Sequence, residues 1–275
     1  MTGKLEGKVA FITGAARGQG RSHAIKLASE GADVIAVDLC GQIASVQYAM
    51  STLEDLAETV KEVESYDRRI VARQADVRDP AALTAALEDG FAELGRIDIV
   101  LANAGILANA VTEADPVQAF LDTIAVNLFG VRNTVHAAVP HMIEQGTGGA
   151  IVLTSSTRGL TGRGGTGTGG QEGYVAAKHG IVGLMRSYAN WLAQYSIRVN
   201  SVHPTGVNTP MIMNEAMDEY VKSVPGLANA LAANLMPVPV VEPIDVSNAI
   251  AWLVSDDARY VTGVTLPVDA GYCAK

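Results

Sequence analysis

Cysteine is scarce in this sequence. It has 2 cysteines in 275 residues, Cys40 and Cys273, and they lie far apart. Neither belongs to a CxxC pair or to a cluster of Cys and His residues. This usage argues against a disulfide framework and against a Cys-ligated zinc site. We therefore expect two free thiols in a reducing compartment, and we predict no metal site.

Positive charge and long hydrophobic runs are also lacking. The chain carries 20 Lys plus Arg against 29 Asp plus Glu, a net charge of -9. Such a chain is poorly suited to nucleic acid or to an anionic membrane surface. No apolar run reaches the roughly 18 residues that a membrane-spanning helix needs, and the N-terminal segment lacks the apolar core of a secretion signal. We expect a cytoplasmic protein whose partner is a small molecule, with no role for nucleic acid or a membrane.

The residues that are present favour one α/β domain. Hydrophobic residues make up 48% of the chain, enough to bury a large core. Short apolar runs, such as VAFIT at Val9–Thr13 and IDIVLA at Ile97–Ala102, alternate with segments of helical periodicity. Continuous apolar strands are typical of a parallel sheet buried on both faces. The sequence therefore predicts a single-domain, doubly wound (Rossmann-type) parallel sheet over residues 1–275, with helices on both faces.

A glycine-rich loop, TGAARGQG, follows the first predicted strand and precedes the first helix. Its Gly14, Gly18 and Gly20 let the backbone approach a pyrophosphate, which the amides at a helix N-terminus bind. Asp38 follows about 20 residues after the loop, where a carboxylate accepts hydrogen bonds from an adenosine ribose. Asp38 would also repel a 2′-phosphate, whereas Arg17 within the loop would attract one. We give Asp38 the greater weight and predict NAD as the cofactor.

Further motifs resemble the short-chain dehydrogenase/reductase superfamily over nearly the whole chain. They are the glycine loop, Asp76-Val77, NAG at Asn103–Gly105, Asn127 in IAVNLFG, the serine pair Ser155-Ser156, YVAAK at Tyr174–Lys178, HPTGVNTPM from His203, and VDAGY near the C-terminus. The resemblance implies a catalytic tetrad of Asn127, Ser156, Tyr174 and Lys178. The family uses the second serine of the pair. The glycine-rich segment before Tyr174 is longer than in the family, so Ser155 stays open as the alternative.

The resemblance also implies cofactor contacts and an assembly. It places Asp76 and Val77 at the adenine, Asn103, Ala104 and Gly105 beside a ribose, and Val207 and Thr209 at the nicotinamide carboxamide, with Tyr174 and Lys178 also touching the cofactor. It further implies a homotetramer, with interfaces on predicted helices at Val117–Val139 and Gly173–Tyr195.

The tetrad residues suit the oxidation of an alcohol. Tyr174 and Lys178 are four residues apart and share one face of a helix. A tyrosine pKa of about 10 is too high for a base at neutral pH, and a nearby ammonium group lowers it. Ser156 can donate a hydrogen bond to the substrate oxygen as charge develops there, and Asn127 is expected to hold a water in a proton relay to Lys178. The sequence thus predicts an NAD-dependent oxidoreductase that interconverts a secondary alcohol and a ketone by hydride transfer.

Two further segments carry expectations about substrate and cofactor. Residues 209–238 are predicted to form a substrate lid, whose Met211, Met213, Met217 and Met236 suit an apolar ligand such as a terpenoid. Residues 39–52, LCGQIASVQYAMST, form an insertion at the adenosine half of the cofactor. The insertion resembles that of the actinobacterial carveol dehydrogenase-type subgroup, which is associated with the redox peptide cofactor mycofactocin. That resemblance implies a tightly held NAD, covered by the insertion and re-oxidised in place by an external redox carrier.

Two alternatives stay open at the level of sequence. One is a dehydrogenase with freely exchanging NAD that acts on a polyol or hydroxyacyl substrate, against which the apolar lid argues. The other is a non-catalytic dinucleotide-binding regulator, against which the intact set of Asn, Ser, Tyr and Lys argues.

Overall fold

The fold is a seven-stranded parallel sheet with helices on both faces. We describe it from a computed structural model that covers residues 3–108, 113–163, 165–231 and 233–274. The predicted lid and the glycine-rich segment after Ser156 each include one residue, 232 and 164 respectively, outside these ranges. The strand order is β3-β2-β1-β4-β5-β6-β7. The strands are β1 (Val9–Thr13), β2 (Asp33–Asp38), β3 (Ile70–Gln74), β4 (Ile99–Ala102), β5 (Gly149–Thr154), β6 (Ile197–Pro204) and β7 (Thr265–Val268).

Helices connect successive strands, as the alternating sequence pattern predicts. They are α1 (Gly18–Ser29), α2 (Leu53–Glu64), α3 (Pro80–Leu94), α4 (Pro116–Ile124), α5 (Val131–Gln145), α6 (Gly169–Leu192), α7 (Glu215–Ser223), α8 (Leu227–Leu231) and α9 (Pro243–Val254). A π-helical segment, Ala125–Gly130, joins α4 to α5. Asp115 caps the start of α4, because its side chain accepts a hydrogen bond from the amide of Gln118.

Each strand contributes side chains to two separate cores, because neighbouring residues of a strand point to opposite faces. Phe11 of β1 packs in one core, and Ile12 packs in the other. Every residue of β1 is buried. The prediction of a doubly wound sheet covered on both faces is therefore confirmed. Within the described residues, no helix has the length and apolar character needed to cross a membrane.

The strand order reverses between β1 and β4. The chain runs from β1 outward through β2 and β3, and then returns to place β4 on the other side of β1. At such a reversal the connections diverge and leave a crevice beyond the carboxyl ends of the strands. The glycine-rich loop after β1 and the NAG motif after β4 both open into this crevice.

Helix α6 begins earlier than the sequence indicates. Its predicted start is Gly173, whereas the structure begins it at Gly169. The carboxylate of Glu113 accepts hydrogen bonds from the amides of Gly169 (2.7 Å) and Gly170 (2.8 Å). These first-turn amides lack partners within the helix, and a carboxylate also complements the helix dipole. A residue distant in sequence thus stabilises a glycine-rich first turn.

Candidate active site

The crevice at the carboxyl ends of β1, β2 and β4 brings most of the predicted cofactor residues together. The predicted residues that line it are Gly14, Arg17, Gly18, Gly20, Asp38, Asp76, Val77, Asn103, Ala104, Gly105 and Thr209. Val207 differs, since it is buried in the core and pairs with Val241 in a β-bridge. Its side chain is not among those that line the crevice in the described part of the chain.

The glycine loop has a backbone shape that requires glycine. Gly14 and Gly18 have φ angles of +68° and +56°, in the left-handed region. A Cβ on Gly14 would lie 2.8 Å from Cα of Ala104, so a side chain there would close the crevice. The side-chain Nδ2 of Asn103 donates to the carbonyl oxygens of Thr13 (3.1 Å) and Gly14 (3.3 Å). The NAG motif is therefore hydrogen-bonded to the end of β1 and to the first glycine of the glycine loop.

Two features of this loop fit a dinucleotide. Helix α1 begins at Gly18 without a side-chain cap from Arg17, which leaves its first amides for an anion. Gln19 also lines the crevice, and its buried Oε1 has no hydrogen-bond partner among the described residues. A buried acceptor without a donor is costly. A ligand with a phosphate and a hydroxyl or amide donor would satisfy both features.

Asp38 places a carboxylate in the crevice and also holds neighbouring segments of the chain together. Its carboxylate accepts hydrogen bonds from the amide of Ala16 (2.9 Å), the amide of Cys40 (3.2 Å) and the hydroxyl of Ser51 (2.6 Å). Asp38 is only 8% exposed. The guanidinium of Arg17 donates to the carbonyl oxygen of Ala49 (2.6 Å). Asp38 and Arg17 thus both tie the glycine loop to the insertion at residues 39–52.

The insertion is a folded strap that packs on the core of one sheet face. Gln42 donates to the carbonyl oxygen of Val46 (2.9 Å) and accepts from the amide of Met50 (3.0 Å). Ile43, Val46 and Tyr48 are buried in the core of one sheet face. We call residues 39–52 the strap from here on.

The strap is anchored on the far side of the crevice. Ser45 donates to the carboxylate of Asp122 in α4 (2.8 Å). Tyr48 makes a hydrogen bond with the backbone of Leu107, beyond β4. Burial raises the pKa of Tyr48 to about 12, and the Leu107 bond and the charge of Arg17 oppose this rise. Because β2 and β4 flank β1, a strap that leaves β2 and contacts Leu107 passes across the crevice.

Tyr174 and Lys178 lie on one face of α6, and Lys178 is next to Gly105, which lines the crevice. Nζ of Lys178 is 5.4 Å from the centre of the Tyr174 ring. It donates to the carbonyl oxygen of Thr154 (2.8 Å). Lys178 is 3% exposed, and this burial lowers its pKa to about 7.

The two serines of the pair have different partners. The hydroxyl of Ser155 donates to the carbonyl oxygen of Lys178 (2.8 Å), whereas that of Ser156 is hydrogen-bonded to Tyr174. Burial raises the pKa of Tyr174, while the Ser156 bond and the charge of Arg158 lower it. The sequence predicts that the ammonium of Lys178 has this lowering effect. That effect stays a prediction, and burial lowers the pKa of Lys178 itself to about 7.

Asn127 lies in the π-helical segment between α4 and α5, a type of helix defect that is frequent at functional sites. Its side chain accepts from the amide of Ile106 (2.8 Å) and donates to the carbonyl oxygen of the same residue (2.8 Å). A Cβ on Gly105 would lie 3.1 Å from Oδ1 of Asn127 and 3.6 Å from Nζ of Lys178. The bare backbone of Gly105 therefore leaves a space between these two polar groups.

Apolar side chains pack around Tyr174. Leu107, Tyr220 of α7 and Met217 form a small buried cluster, and Tyr174 and Met211 pack against it. Met213 and Met236 are exposed instead. Two of the four methionines in the predicted lid therefore face the candidate site.

Several residues of the site carry no motif that reveals them in the sequence. Arg158 touches the tetrad, Gln19 offers an unpaired acceptor, and Glu113 begins α6. The position of Arg158, two residues after Ser156, is the one signal that could have pointed to it. His203 has a structural environment, with its ring between the carbonyl oxygen of Ser156 (2.9 Å) and the hydroxyl of Ser201 (2.8 Å).

Comparison with known proteins identifies the family. A family model described as short chain dehydrogenase matches residues 8–219. The (-)-trans-carveol dehydrogenase of Rhodococcus erythropolis is 49% identical over 282 residues, which cover 99% of each chain. The crystal structure of a carveol dehydrogenase from Mycobacterium avium in complex with NAD has a TM-score of 0.91 and 48% identity over 100% of both chains. A short chain dehydrogenase from Mycobacterium paratuberculosis, bound to NAD, has a TM-score of 0.90 and 44% identity, covering 99% of this chain and 100% of that one. The chain belongs to the short-chain dehydrogenase family.

Proposed function

We propose that the protein is an NAD-dependent dehydrogenase that interconverts a secondary alcohol and a ketone, with Tyr174 as the base. The convergence of Asn127, Ser156, Tyr174 and Lys178 beside a dinucleotide-shaped crevice carries this proposal. The NAD-bound neighbours in the same family support the choice of cofactor.

The crevice residues have distinct tasks in holding the cofactor. The first amides of α1, with Gly14 and Gly18, would receive the pyrophosphate. Asp38 would accept a hydrogen bond from the adenosine ribose, and Asp76 and Val77 would flank the adenine. Bound NAD supplies the acceptor for the hydride that leaves the substrate carbon.

The protein's own residues handle the proton and the developing charge. Tyr174 takes the proton of the substrate hydroxyl through its phenolic oxygen. Ser156 donates a hydrogen bond to the oxygen that becomes the carbonyl. Lys178 and a water beside Gly105, held by Asn127, pass the proton onward. Ser155, which is bonded to the α6 backbone, keeps the helix in place.

We assign an apolar substrate on the basis of the cluster around Tyr174. Leu107, Met211, Met217 and Tyr220 surround the base with apolar surface, and methionine adapts to irregular ligands. A polyol would leave its hydroxyl groups without partners against these side chains. The carveol dehydrogenase relatives make a terpenoid alcohol the first substrate to test.

We further infer that the strap retains NAD between turnovers. Its hydrogen bonds to Asp122 and Leu107 lie on the opposite side of the crevice from β2, so cofactor release requires breaking them. A cofactor held in this way would need an external redox carrier to re-oxidise it in place.

The proposed assembly is a cytoplasmic homotetramer. Val117, Leu121 and Phe129 are exposed apolar residues on or next to α4, and Trp191 is exposed on α6. Exposed apolar side chains on neighbouring helices favour association. Cys40 and Cys273 are free thiols, which suits a reducing compartment.

A matched pair of variants on α6 tests the proposed function. Tyr174→Phe removes the hydroxyl of the proposed base, whereas Tyr188→Phe makes the same change where the ring packs beside His136 and Trp191. With (-)-trans-carveol as substrate, we expect Tyr174→Phe to lose turnover and to keep NADH binding. Tyr188→Phe should keep both. Undiminished turnover in Tyr174→Phe would rule out Tyr174 as the base.

A further inference from the structure

A guanidinium group lies against the first turn of the helix that carries the proposed base, and the mechanism above gives it no task. Arg158 follows Ser156 by two residues and is half-buried. Its Nη1 donates a hydrogen bond to Oε1 of Gln171. Gln171 is 1% exposed and lies in the first turn of α6, three residues before Tyr174. The Arg158 side chain therefore crosses from the loop after β5 to the helix that carries the base.

The backbone of Arg158 also acts on Ser156. The Arg158 amide donates to Oγ of Ser156 (3.2 Å). A hydroxyl group has one proton to donate, and the amide of Arg158 leaves that proton free to point at Tyr174, to which Ser156 is bonded. Arg158 is thus linked to the base through Ser156, and its guanidinium is fixed on the helical turn that precedes the base.

Other titratable groups that face Tyr174 are Lys178, Tyr48 of the strap and Tyr220 of the lid. Burial lowers the pKa of Lys178 to about 7, so this amine is partly neutral near pH 7. Tyr48 of the strap has a pKa of about 12 and is neutral there. The lid contributes Tyr220, which is hydrogen-bonded to Thr166. A guanidinium, in contrast, stays protonated at any working pH.

We propose that Arg158 is a positioning residue for the reaction, which favours the phenolate of Tyr174 by its fixed charge and directs the Ser156 hydroxyl toward it. The inference rests on the proposed function, because it concerns the residue assigned as the base. The electrostatics agree in sign, since burial raises the pKa of Tyr174 and the charge of Arg158 lowers it.

The titration of Tyr174 can be followed without turnover. The chain has 8 tyrosines, and labelling their Cζ with carbon-13 gives NMR signals that shift when a phenolate forms. Comparison with Tyr174→Phe identifies the signal of Tyr174. The variants are Arg158→Gln, which removes the charge, and Arg158→Lys, which restores it. Arg158→Met serves as a second neutral variant in case Arg158→Gln does not fold.

Arg163 provides a matched control in the same loop. Its guanidinium lies 5.5 Å from the centre of the Tyr272 ring, and its Nη1 donates to the Tyr272 carbonyl oxygen (3.2 Å). Arg163→Gln therefore removes the same charge from the loop at a site where the guanidinium is engaged by Tyr272.

We expect Arg158→Gln to move the titration midpoint of Tyr174 to higher pH. In Arg158→Lys the midpoint should lie close to the wild-type value, and in Arg163→Gln it should equal the wild-type value. The alkaline rise of kcat/KM for carveol oxidation should move in the same direction. An unmoved titration in Arg158→Gln, or an equal shift in Arg163→Gln, would overturn the positioning role. A shifted titration in a protein that never turns over would support the positioning role and overturn the proposed dehydrogenase function, so the two failures are distinguishable.

Discussion

The buried amine of Lys178 is expected to lower the free energy of unfolding. Its pKa falls from 10.5 to about 7 on burial, so the unfolded chain binds more protons than the folded chain between these values. The destabilisation is complete below about pH 7 and disappears as the pH rises toward 10.5. At about 1.4 kcal/mol per pH unit, it amounts to about 5 kcal/mol. Replacing Lys178 by Met removes this term and also leaves the Thr154 carbonyl without its donor, at a cost of about 1 kcal/mol.

We therefore predict that Lys178→Met is more stable than the wild type at pH 7 by about 3 to 4 kcal/mol. Near pH 11 the order should reverse, with the variant less stable by about 1 kcal/mol, because only the lost hydrogen bond to Thr154 then counts. The assay is urea unfolding of NAD-free protein at both pH values, since bound cofactor would add stability of its own. Lys61→Met is the control, because Lys61 is 78% exposed. The variant should also be inactive, as expected where function requires a buried ionisable group. A Lys178→Met protein that is less stable than the wild type at pH 7 would refute the reasoning.

Three further predictions concern the strap, the relay space and the start of α6. Ser45→Ala combined with Tyr48→Phe removes two hydrogen bonds of about 1 kcal/mol each, so NADH should dissociate about 10 to 30 times faster in a stopped-flow displacement assay. The control Ser29→Ala should leave the off-rate unchanged, and an unchanged off-rate in the double variant would contradict the proposed retention. Gly105→Ala fills the space beside the proposed relay and should lower kcat at least about tenfold, with a smaller effect on NADH affinity. A large loss of NADH affinity with little change in kcat would instead assign Gly105 to cofactor binding alone. Glu113→Gln should lower the free energy of unfolding by about 1 kcal/mol, and by less at high salt, and an unaltered stability would show that its charge does not support α6.

The sheet and most of the crevice could be predicted from the sequence because their signals are local. Continuous apolar runs predict buried parallel strands, and Asp115 begins a helix through its own side chain. The glycine loop and Asp38 lie at the ends of neighbouring strands, so the strand order alone brings them to one edge. Each of these signals can be identified within a short stretch of the sequence.

The parts that the sequence does not reveal depend on long-range contacts. Helix α6 begins at Gly169 because Glu113, more than fifty residues away, bonds its first amides. The course of the strap depends on Asp122 and Leu107, which no pattern within residues 39–52 predicts. The lowered pKa of Lys178 follows from its burial, which the spacing of Tyr and Lys four residues apart does not predict.

The most direct test of the account uses purified protein with no added cofactor. Secondary alcohols, (-)-trans-carveol among them, are added while NADH absorbance is followed. The account predicts a burst that stops at one reduction per subunit and that added NAD does not extend. Continuous turnover that begins only after NAD is added would contradict the retained cofactor, and an absence of reduction with and without NAD would contradict the proposed activity.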